Sequence, residues 1–60
     1  MTKRRIVVKA LLDDGWVMQS GKRADHDKFV KPGKRSIPVP RHRELDDETA
    51  KIILRQAGLR

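Results

Sequence analysis

The side chains best suited to chemistry lie together between Gly21 and Phe29, which read Gly-Lys-Arg-Ala-Asp-His-Asp-Lys-Phe. His26 is flanked by Asp25 and Asp27, with Lys22, Arg23 and Lys28 close by in the chain. A free imidazole titrates at about 6.5, so it can take or give a proton near neutrality. Lysine and arginine can hold a phosphate and offset charge that develops on it. The combination suits RNA, whose 2′-hydroxyl could be deprotonated by the histidine and attack. DNA lacks that group. The plainer reading is a solvated surface histidine, and spacing alone does not decide between the two.

The neighbouring acids invite a carboxylate–imidazole pair. Adjacent residues of a strand point to opposite faces, so neither Asp25 nor Asp27 reaches His26 in a regular strand. Both therefore read as solvated acids of a loop and a strand end. His42, in Val-Pro-Arg-His-Arg-Glu-Leu, is a second acid–base candidate or a phosphate contact, or it simply packs near a helix start. No glycine-rich phosphate loop, serine–histidine–aspartate spacing or metal motif occurs elsewhere.

These residues need elements to position them. Ile6, Val7, Ala10 and Leu11 form a helical stripe within Lys3 to Asp14. Thr2 is placed to cap that helix, and Gly15 to end it in a left-handed conformation. Trp16 then folds back on Leu11 as a core anchor, in preference to serving as a base-stacking platform. Trp16 to Gln19 reads as a first strand, Ser20 to Asp25 as a charged loop, and His26 to Lys31 as a second strand. Lys31-Pro32-Gly33-Lys34 has proline and glycine where a type II turn needs them. The third strand, Ser36 to Pro40, carries two prolines two residues apart, which a sheet tolerates only at an edge. Asp46 can cap a last helix striped by Ala50, Ile53, Leu54 and Ala57, with Gly58 ending it and Leu59 closing back on Leu54.

The expected fold is α+β: a three-stranded antiparallel sheet with two helices on one face, in the order α-β-β-β-α. Alternation turns Phe29, Ile37 and Val39 toward the helices. His26, an odd number of residues from Phe29, then stands on the open face beside Lys28.

Bulk properties narrow the class. Sixty residues make one domain, spanning 1–60, and a chain this short buries only about 60% of the surface its unfolded form exposes. There is no cysteine, and two histidines without other soft ligands argue against a structural zinc site. No apolar run approaches the roughly 18 residues of a membrane span, and nothing resembles a signal peptide, so the cytoplasm is the expected compartment. Between Lys22 and Arg43 eight basic residues face two acids, which places six of the seven net positive charges in the middle third. Such a stripe points to a polyanion, above all nucleic acid, against the alternative of a merely solvated basic face.

Four segments taken together, Leu-Leu-Asp-Asp-Gly-Trp (11–16), Asp-His-Asp-Lys-Phe (25–29), Ile-Pro-Val-Pro-Arg-His (37–42) and Ile-Ile-Leu-Arg-Gln-Ala-Gly-Leu (52–59), resemble the HicA family of bacterial toxins. The resemblance covers nearly the whole chain, in order. It implies a fold similar to the double-stranded RNA-binding domain, and a metal-independent endoribonuclease that cleaves mRNA without a cofactor. It also implies a HicB-type antitoxin as partner, and it places the catalytic histidine at His26. Lys22, Arg23 and Lys28 would then grip the phosphate, with Arg41 and His42 as further RNA contacts. Ala24-Asp25 stand where the family commonly reads Gly-Ser, which exchanges a hydroxyl donor for a carboxylate. The alternative function, from the binding class, is a non-catalytic double-stranded RNA-binding module that has no need of His26. A DNA-binding accessory protein fits less well, since neither helix is set up as a helix-turn-helix reader.

Overall fold

The first helix, α1, forms where Val7 and Leu11 repeat at one-turn spacing, and both are buried. The computed structural model describes residues 1–20 and 25–60, and in it α1 runs Arg4–Asp13. Three strands follow: β2 (Val17–Ser20), β3 (His26–Val30) and β4 (Ile37–Pro40). They form an antiparallel sheet in the order β2-β3-β4. The second helix, α2 (Asp47–Gln56), buries Ala50 and Ile53, with Leu54 and Ala57 packed beside them. Phe29, Ile37 and Val39 are fully buried against Val7, Leu11, Trp16 and Ile53, so both helices cover one face of the sheet. This is the α+β arrangement that the hydrophobic periodicities require, in a slab only 16 Å thick. Among the described residues no helix is long and apolar enough to cross a membrane.

Both helices end in the same way. Gly15 adopts φ 94°, the Trp16 N–H donates to the Leu11 carbonyl at 3.0 Å, and the Gly15 N–H donates to the Leu12 carbonyl at 3.0 Å. Gly58 repeats the pattern at φ 76°, with the Leu59 N–H bonded to the Leu54 carbonyl at 2.8 Å. These are Schellman closures, which satisfy the last carbonyls and throw the next residue back on the helix. The first of them delivers Trp16 into the core at 2% exposure. Its indole N–H donates to Asp14 at 3.1 Å, and the Lys31 ammonium lies 5.9 Å from its ring centroid while pairing with the same carboxylate. The Lys31 ammonium and then the indole N–H hold the Asp14 carboxyl below its ordinary value.

The hairpin between β3 and β4 closes with the Lys34 N–H donating to the Lys31 carbonyl at 3.0 Å and Gly33 at φ 76°, as a type II turn requires. β4 is an edge of the sheet, as its prolines demand. Pro40 pairs with His26 and Pro38 with Lys28.

Three expectations are corrected. Thr2 does not cap α1. Lys3 occupies the cap position without a side-chain bond, while Thr2 donates to Asp47 at 2.9 Å. The reason is an unforeseen two-stranded ribbon, β1 (Thr2–Lys3) with β5 (Glu44–Leu45), which takes Thr2 as a strand residue and buries Leu45 opposite it. Ile6 does not join the core. It is 58% exposed, because a helix phased on Val7 and Leu11 carries Ile6 about 120° from the centre of their shared face. Asp46 does precede α2, but it offers only its backbone carbonyl, to Ala50 at 3.0 Å, and no side-chain cap.

Candidate functional site

His26 opens β3, and strand alternation decides its direction. Asp27 and Phe29 turn toward the helices and are buried, so His26 and Lys28 turn to the open face. Lys28 is exposed there, two residues along and hence about 7 Å from the histidine along the strand. The His26 side chain is 38% exposed, yet its Nδ1 is buried. The accessible part of the ring is therefore its remaining atoms.

Asp25 reaches that buried nitrogen. Its Oδ1 lies 3.1 Å from His26 Nδ1, within ion-pair range though not aligned as a hydrogen bond. The alternation argument against this contact fails because Asp25 lies in a turn, one residue before the strand begins. The signal available in the sequence was the acid directly before the histidine.

Asp27 also departs from the expected solvated acid. Only 7% exposed, it accepts from Arg4 Nη2 at 2.6 Å and Arg41 Nε at 2.9 Å, with Arg41 Nη2 at 2.8 Å. Arg4 Nε donates in addition to the Pro40 carbonyl at 2.8 Å, and the Arg41 N–H donates to the Asp25 carbonyl at 2.9 Å. One buried carboxylate thus ties the start of α1 to β3 and to the exit of β4, directly behind the histidine. Charge-assisted bonds of this length are strong, and removing one partner leaves the others desolvated. Asp27→Ala is expected to cost about 3 kcal/mol, the low end for a broken buried pair, since both guanidiniums keep some access to water. The melting temperature should fall on the order of 10–20 °C. An unchanged melt would show that the cluster holds nothing together.

The other candidates are distributed as follows. Lys22 and Arg23 lie outside the described residues. Lys28 shares the face of His26. Arg41 bonds Asp27, whose side chain turns to the helix-covered side. His42 is exposed on the connection between β4 and β5, beyond the last residue that pairs with β3. Among the described residues no three His, Asp or Glu side chains converge as a metal-ligand set.

A buried-edged imidazole backed by a carboxylate, with a lysine on the same solvent-facing surface, can move a proton at an anionic substrate. Comparison with known proteins bears on which substrate. Residues 4–59 match the family model described as the HicA toxin of bacterial toxin–antitoxin systems. A chain of a solved structure, described as a toxin–antitoxin complex from Streptococcus pneumoniae, is 36% identical to this one. It covers 98% of this chain and 100% of its own, with a TM-score of 0.87. No curated protein gives a significant match.

Proposed function

The chain belongs to the HicA toxin family, the toxin side of a bacterial toxin–antitoxin system, and from that premise we propose that it is a cytoplasmic, metal-independent endoribonuclease acting on mRNA. The observation that carries the reading is the setting of His26, with Nδ1 turned inward against Asp25 and the rest of the ring facing outward beside Lys28. Because Nδ1 is buried, Nε2 is the nitrogen offered to the substrate as the base. It takes the proton of the ribose 2′-hydroxyl, and the oxygen attacks the adjacent phosphorus. The bond from phosphorus to the 5′ oxygen breaks, and the imidazolium so formed supplies the proton that the departing oxygen needs. The products are a 2′,3′-cyclic phosphate and a 5′-hydroxyl. Asp25 stabilises the transient imidazolium, and Lys28 offsets charge on the phosphate oxygens.

A HicB-type antitoxin is the partner this reading implies, and the toxin–antitoxin setting of the structural neighbour supports it. The open face beside His26 carries Lys28, and covering that face would exclude RNA without any change of shape. Opposite charge on the antitoxin would speed the encounter more than it fixes affinity.

The test is incubation of the purified protein with a defined RNA, with and without EDTA. Cleavage should continue in the chelator and leave a cyclic phosphate end, and a 2′-deoxy substitution at the cut should block it. Loss of activity in EDTA, or a 5′-phosphate on the product, would rule the mechanism out.

A further inference from the structure

A second cationic surface lies away from the open sheet face. A groove of about 610 Å³ runs between the outer side of α1 and the chain that leaves β4. Arg4 and Arg41 line it, both already engaged by Asp27, and Lys9 lines it while paired with Asp13 at 3.0 Å. Lys3, Arg5 and Arg43 line it too, exposed and without an ion-pair partner among the described residues, and the Asp13 carboxylate, paired with Lys9, completes it. Val8, packed against the core, and Leu12, 50% exposed, give the groove an apolar stretch one helical turn long.

The placement of those cations opposes the stability of the helix they adorn. The N-terminus of a helix carries a partial positive charge, which favours acids there. Here Lys3 sits at the cap position, Arg4 and Arg5 follow, and the first turn holds no acid and no side-chain cap. An anion bound here would offset that charge.

The groove is also continuous with the candidate catalytic centre. Arg4 bonds the carbonyl of Pro40, the residue paired with His26, and the Arg41 N–H bonds the carbonyl of Asp25. The two surfaces therefore meet at one end of the sheet, on either side of β4.

We propose that this groove binds the phosphate backbone of the same RNA strand, outside the step being cleaved, through Lys3, Arg5 and Arg43. The proposal rests on the ribonuclease reading for the identity of the polyanion. Phosphates take the cations, and a ribose or base face lies on Val8 and Leu12. An acidic protein segment is the competing occupant. RNA is favoured because the groove begins at the exit of β4, where Pro40 pairs with His26, so a strand that turns around that edge reaches both.

The experiment uses the full chain with Lys3, Arg5 and Arg43 all replaced by glutamine, which relieves the like charge at the helix start and so preserves folding. Two probes are compared: a dinucleotide, and a longer single strand containing the same step. The longer strand should lose about tenfold in affinity and in kcat/KM, and the slope of log affinity against log salt should flatten by about 2, from three lost phosphate contacts. Cleavage of the dinucleotide should not change. A variant that binds the longer strand with wild-type affinity and salt slope overturns the proposal. So does one that keeps RNA but loses the antitoxin, which would make the groove a protein-docking surface. Wild-type protein that binds the longer strand yet cleaves neither probe sinks the ribonuclease reading instead, with the groove still decided by the salt slope. Wild-type protein that binds no RNA overturns both.

Discussion

His26→Ala is expected to abolish RNA cleavage and growth arrest while leaving the domain folded. The two halves of that expectation come from the same geometry. The side chain contributes to the open face of the sheet, so its loss empties no core position occupied by Phe29, Ile37 or Val39. Its only described polar contact is Asp25, an exposed acid that water can serve equally well. Removing a general acid–base costs on the order of 10²–10⁴ in rate, and here the same group is asked to act as both base and acid. The other histidine, His42, lies past the end of the β3–β4 ladder. The checks are a cleavage assay on defined RNA, with circular dichroism and a thermal melt on the same preparation. A mutant that cleaves as well as the parent moves the catalytic role elsewhere.

Trp16→Ala should have the largest effect on stability. A buried aromatic truncated to alanine typically costs about 3–5 kcal/mol. A domain of this length has only about 3–9 kcal/mol in total. The substitution is therefore enough to leave much of the population unfolded at growth temperature. More than apolar area is lost, because the indole also holds the Asp14 carboxylate and faces the Lys31 ammonium. Circular dichroism melts would show it. Were the mutant to keep its melting temperature and lose RNA affinity, Trp16 would be a stacking platform despite its burial.

What could be read without coordinates follows the range of each interaction. His26 was placed on the open face by counting residues to Phe29, and the edge strand by the spacing of Pro38 and Pro40. Both arguments involve neighbours in the chain. The two helix ends were legible because a glycine at the closing position is a local requirement. Asp27 was missed because its partners, Arg4 and Arg41, are 23 and 14 residues away, and nothing in Asp-His-Asp distinguishes a buried acid from a solvated one. The β1–β5 ribbon was missed for a related reason. Two-residue strands show no alternation, and only the fold brings Thr2 opposite Leu45. Asp25 fell between these cases, since a one-residue shift in where the strand starts decides whether it can reach the imidazole.

The two prolines of β4 have a consequence for how other chains can attach. Because the Pro38 and Pro40 nitrogens point to one side of the strand, and the Arg41 N–H points to the other, to the Asp25 carbonyl just before β3, the outer margin offers no amide donor at either proline. The outward carbonyl of Pro40 is already taken by Arg4. This margin is a poor template for a foreign strand, whether from a binding partner or from a second copy during aggregation. A polypeptide that adds to the sheet through a regular backbone ladder finds the better edge at β2, on the far side.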